Sequence, residues 1–90
     1  MSAQFHARVF VTLKESVLDP QGQAVEQTLR SLGHPDVNGV RIGKLVELNL
    51  TAPDEGAARS QVETYCTELL VNPVIESYTF ELAATAGDPA

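Results

Sequence analysis

Tryptophan is absent from this 90-residue chain, and cysteine and methionine occur once each. A lone thiol, Cys66, excludes an internal disulfide and with it a small secreted scaffold held by cross-links. Basic residues are also scarce, six Lys and Arg against twelve Asp and Glu, for a net charge of −6. The six are spread from Arg8 to Arg59, so no basic patch points to nucleic acid or to an anionic membrane. No apolar run nears the ~20 residues that a bilayer crossing needs. The opening Met-Ser-Ala-Gln-Phe-His has neither a basic region nor an apolar core, so no secretory leader is expected. A soluble, reduced, cytoplasmic protein is the expectation. Gly22, Gly33, Gly39, Gly43 and Gly56 form neither a GxGxxG nor a P-loop pattern, which leaves a phosphate cradle without support.

What is present is strong periodicity. Residues 4–14 alternate, with Phe5, Ala7, Val9, Val11 and Leu13 on one side and His6, Arg8, Thr12 and Lys14 on the other. Phe10 alone interrupts the polar side. This is a half-buried strand. Asp19-Pro20 then reads as a helix start, with Val25, Thr28, Leu29 and Leu32 on one stripe, ended by Gly33 and Pro35. Residues 37–50 put Val40, Ile42, Val46, Leu48 and Leu50 on even positions. A two-residue turn at Gly43-Lys44 would pair Val40 with Glu47, so a single bent strand is favoured over a hairpin. At about 3.3 Å per residue it would reach roughly 45 Å, longer than a domain this small can cover with its own strands. A second chain pairing with the overhang is the expected remedy.

Thr51-Ala52-Pro53-Asp54-Glu55 reads as a second helix start, followed by Ala58, Val62, Tyr65, Cys66, Leu69 and Leu70 at helical spacing. Asn72-Pro73 stops it. A last strand is expected over residues 74–82, with Val74, Tyr78, Phe80 and Leu82 on one face. The fold class is therefore α+β, in the order β-α-β-α-β, or β-α-β-β-α-β if the middle run folds at Gly43. Two helices would lie on one face of a small sheet, a two-layer sandwich related to the ferredoxin-like plan. One domain spans residues 1–82, and residues 83–90 read as a flexible tail.

No catalytic set emerges. Cys66 sits on an apolar stripe, where a thiol behaves as a small hydrophobe. His6 and His34 lie far apart, without neighbours at metal-ligand spacing. Glu47, Glu76 and Glu81 fall on strands with no sign of a shared cleft.

Three segments carry more chemistry than a scaffold requires. They are Leu13-Lys14 with Val17-Leu18-Asp19-Pro20-Gln21-Gly22, then Val40-Arg41-Ile42-Gly43-Lys44, then Leu69-Leu70 with Asn72-Pro73-Val74-Ile75-Glu76 and Tyr78. In this order and spacing, over about residues 6–82, the chain resembles the PurS family, the small accessory subunit of phosphoribosylformylglycinamidine synthase. That resemblance implies a subunit with no catalytic, cofactor or metal site of its own. In de novo purine biosynthesis it would bridge a PurQ-like glutaminase subunit, which releases ammonia, and a PurL-like synthetase subunit. The assembled complex would use ATP and magnesium, and the small subunit would form a homodimer or higher assembly. Lys14, Asp19, Arg41, Gly43, Lys44, Asn72 and Glu76 are the candidate subunit-interface residues. Two rivals are weighed beside it. An ACT-type regulatory module would bind an amino acid near a glycine after the first strand, where this chain offers only Gly22. An acylphosphatase-like hydrolase would need an anion cradle, and Glu15 and Asp19 suit that poorly.

Overall fold

A computed structural model describes residues 2–85. Three antiparallel strands form one sheet in the order β2-β1-β3: β1 is Ala3–Leu13, β2 is Gly43–Ala52 and β3 is Glu76–Ala84. Helix α1, Pro20–Ser31, joins β1 to β2, and helix α2, Glu55–Tyr65, joins β2 to β3. The β-α-β-α-β order is the one observed. Gly43 and Lys44 lie inside β2, opposite Thr12 and Val11, so no hairpin forms there.

The middle strand corrects the expectation of one run over residues 37–50. It begins only at Gly43 and ends at Ala52. Gly39 has φ +66°, which breaks the extended path. The amides of Val40 and Ile42 are taken by carboxylates, Glu26 Oε1 at 3.2 Å and Asp19 Oδ2 at 2.7 Å, rather than by a strand. Alternation in residues 40–42 therefore reports a tethered extended segment, not a sheet.

Pairing of β1 with both neighbours places its odd residues on one face with Val46, Leu48 and Leu50 of β2 and Tyr78, Phe80 and Leu82 of β3. Helix α2 covers this face with Ala58 and Val62, continued by Cys66; all three are fully buried. Asp54 caps α2 by accepting the Ala57 amide at 2.8 Å. The helix leaves through a wide π-helical turn, Cys66–Leu70, closed by Val71 N–H donating to the Cys66 carbonyl at 3.0 Å. That turn holds one residue more than an α-turn, so the inward position falls on Val71. Leu69, expected on the buried stripe, is 83% exposed in consequence.

Helix α1 starts where expected. Asp19 Oδ1 accepts the Gly22 amide at 2.9 Å, and Pro20 occupies the first helical position. At its other end Gly33, at φ +99°, donates to the Arg30 carbonyl, and His34 donates to that of Leu29. This is the Schellman arrangement. The stripe of α1 is not buried: Val25 is 40% and Leu32 69% exposed. The radius of gyration is 17.2 Å, against ~12 Å for a closed globule of this length.

The third strand starts at Glu76, two residues later than expected, and runs past Leu82 to Ala84. Val74 is 77% exposed and belongs to the turn before the strand. Of the tail expected over residues 83–90, residues 83 and 84 close β3, Thr85 donates its amide to the Gln4 carbonyl, and residues 86–90 lie outside the described residues.

Candidate functional site

All seven candidate residues gather at one end of the sheet. There β1 finishes, α1 begins, and β2 and β3 start. Asp19 organises this corner. Its carboxylate receives the Gly22 amide on one oxygen and the Ile42 amide on the other, so one side chain caps α1 and anchors the approach to β2. These two amides, Ile42's foremost, together with the nearby Arg41 charge, hold the Asp19 carboxyl below its ordinary pKa. The close approach requires glycine at position 22, because a Cβ there would strike the Val40 carbonyl and the Asp19 carboxylate itself.

Arg41 closes the loop that follows β1. Its Nη2 donates to the carbonyls of Leu13 at 3.2 Å, Lys14 at 2.8 Å and Val17 at 3.1 Å. These are bonds within the chain, which add a structural duty to the contact role expected of it. Lys14 reaches across to β3 through its backbone, donating its amide to the Ile75 carbonyl at 2.8 Å. Asn72 and Glu76 form a closed turn: Glu76 Oε1 accepts the Asn72 amide at 2.7 Å, and Asn72 Oδ1 accepts that of Val74 at 3.1 Å. Gly43 lies under β1, where a Cβ would stand 2.5 Å from the Val11 carbonyl oxygen.

Between these groups lies an open cavity of about 550 Å³. Val11, Leu13, Pro20 and Ile42 give it apolar walls, and Asp19, Gly43, Lys44 and Glu76 stand around them. Four of the seven candidates thus share one concavity, and the other three are bonded into its frame. The apolar wall residues were not singled out in the sequence. Their signal was present in β1, whose apolar alternation runs on to Leu13.

The opposite face of the sheet is polar. His6 Nδ1 lies 2.8 Å from Asn49 Oδ1, and its Nε2 lies 3.1 Å from Glu47 Oε1. Arg8 bridges Glu47 and Glu81 and covers the ring of Phe10 at 5.5 Å. The Asn49 and Glu47 contacts raise the His6 pKa. Cys66 is sealed in the core, and burial pushes its thiol upward, away from the reactive thiolate. Among the described residues no three His, Cys, Asp or Glu side chains gather as metal ligands. The corner is arranged for contact rather than for bond making.

The PurS family model, described as phosphoribosylformylglycinamidine (FGAM) synthase, matches residues 6–84. The Synechocystis phosphoribosylformylglycinamidine synthase subunit PurS is 53% identical over 87 residues, covering 97% of this chain and 87% of that relative. Among solved structures, the purS subunit of the synthase from Thermotoga maritima aligns with a TM-score of 0.84 and 32% identity, over 92% of this chain and 95% of that one. A chain in the structure of PurLQS from the same organism aligns with a TM-score of 0.82 and 34% identity, over 89% of this chain and 98% of that one.

Proposed function

The chain belongs to the PurS family of phosphoribosylformylglycinamidine synthase, a subunit of purine biosynthesis, and on that premise we propose that it works by holding a glutaminase and a synthetase subunit in one assembly. The observation that carries this is the likeness over nearly the full length to a chain of PurLQS. Ammonia released by one subunit must reach the other before it is diluted or protonated. A fixed spacing of the two sites raises its effective concentration at the acceptor. Such a part needs rigidity and contact surfaces, and no nucleophile or base of its own.

ATP and magnesium are assigned in this reading to the larger subunits. The described residues of this chain form no ligand set for a metal ion, and their glycines form no phosphate loop. A cytoplasmic location accompanies the assignment. The ACT-type rival is set aside because the family match spans residues 6–84.

Self-association belongs to the same proposal. The exposed stripe of α1, with Val25 and Leu32 in the open, and a radius of gyration well above that of a closed globule both support a second copy as its cover. The test is reconstitution from three purified chains. Glutamine-dependent synthesis of the amidine product should appear only when this chain is added to the two larger subunits. Equal activity without it would end the reading.

A further inference from the structure

The six basic residues fall into two sets. Arg8, Arg30 and Arg59 each contact a carboxylate of the same chain, at 3.3–3.8 Å. Lys14, Arg41 and Lys44 have no ion-pair partner within 4 Å among the described residues, and all three stand at the corner where β1, α1, β2 and β3 meet. Three acids share that corner, namely Glu15, Asp19 and Glu76. Asp19 is buried and accepts two backbone amides, and Glu76 accepts the Asn72 amide. These three acids balance the three bases, so the whole formal excess of −6 comes from residues outside this group. The corner is therefore the non-acidic part of an acidic protein, and its two ammonium groups are unmatched donors.

Apolar surface accompanies them. The cavity walls Val11, Leu13 and Ile42 lead outward to Leu18, 64% exposed beside Asp19, and to Val74 and Ile75, 77% and 38% exposed next to Lys14. Exposed apolar groups rimmed by unmatched charge mark a macromolecular contact.

We propose that this corner is the docking surface for an acidic segment of one of the larger subunits, with apolar side chains entering the cavity and carboxylates meeting Lys14 and Lys44. The proposal rests on the reading of the chain as an assembling subunit. A second copy is the poorer occupant, since a twofold contact of this corner with itself would set the same donors against one another. That leaves the α1 stripe for self-association and the corner for the heterologous partner.

The experiment compares the full-length chain with K14E/K44E, the milder K14Q/K44Q, and R30E/R59E, which reverses two charges already paired inside their own helices. Affinity for each purified larger subunit is measured by calorimetry in 50 mM and 300 mM salt, after thermal unfolding has confirmed that each variant folds. The expected result is at least a tenfold loss for K14E/K44E toward one larger subunit at low salt, a smaller loss for K14Q/K44Q, and a change under threefold for R30E/R59E. The wild-type affinity should fall with salt. Binding of both corner variants within threefold of wild type to both subunits would overturn the proposal. So would an equal loss in R30E/R59E, which would make the effect one of net charge. Micromolar binding of inorganic phosphate or ATP to this chain alone, abolished by K14E/K44E, would overturn it in favour of a small-anion site. A wild-type chain that binds neither larger subunit would overturn the assembly reading itself, and this proposal with it.

Discussion

His6 faces an oxygen on each ring nitrogen, the amide oxygen of Asn49 and a carboxylate oxygen of Glu47. Only the doubly protonated ring donates to both, so the contacts favour the charged form. A histidine NMR titration is expected to give His6 a pKa above 6.5, with Asn49→Leu lowering it more than Glu47→Gln, following the order of the two causes. Because the folded-state value is raised, the contribution of His6 to stability is complete below the unfolded value of ~6.5 and is lost as pH rises through the folded one. Urea melts across that window should lose this slope in His6→Asn. The sign is opposite for Asp19, whose value is depressed. Its contribution is present above the unfolded value of ~3.9 and disappears as pH falls through the folded one. Two apolar positions test packing. Val62→Ala removes methyl groups from a fully buried site and should cost about 2 kcal/mol in urea unfolding. Gly43→Ala forces a Cβ against the Val11 carbonyl and Thr12 and should cost about 1–3 kcal/mol.

At the scale of the elements, the central strand does most to define the molecule. Strand β1 pairs with both neighbours and supplies Phe5, Ala7, Val9 and Val11 to the core. Helix α2 has a reason to lie where it does, since Ala58, Val62 and Cys66 descend one face and meet those residues. Helix α1 is held differently, by its capping carboxylate and by the tethered segment 40–42. Arg41 then fixes the loop before it through three carbonyls. Arg41→Ala is expected to speed amide hydrogen exchange in residues 14–19 while leaving β1 protected, because the strand keeps its ladders on both sides. Uniform exchange across both regions would show that the loop and the sheet open together.

Across the whole molecule, one chain buries a short core under one helix and leaves another helix's apolar stripe outside. Principal extents of 55 × 30 × 15 Å describe a shape that a single chain does not close. Sedimentation is expected to give a mass at least twice that of one chain. Val25→Asp with Leu32→Asp should return it to a single-chain mass, because the two leucine and valine faces are 69% and 40% exposed in isolation. An unchanged mass would place the self-contact elsewhere.

The strands, the helix starts and the family pattern were legible in the residues because each depends on neighbours in sequence. Alternation sets a strand's two faces, Asp-Pro and Pro-Asp-Glu place caps, and glycine with proline marks an end. The same local reading misplaced β2, Leu69 and Val74, for a common reason. Residues 40–42 are extended in space but bonded to side chains of α1 and its cap, a wide turn moved the helix's inward phase, and a closed Asn72–Glu76 turn delayed the last strand. Each of these outcomes depends on a hydrogen bond whose competitor the local pattern does not show. The seven candidate residues were legible as three separate motifs. That they meet at one corner, with their acids already bonded and two lysines left unmatched, follows from the antiparallel order β2-β1-β3, which brings the end of the first strand beside the starts of the other two. Sequence determined which residues could form strands and helices; the tertiary hydrogen bonds decided where those elements end and which polar groups remain for a partner.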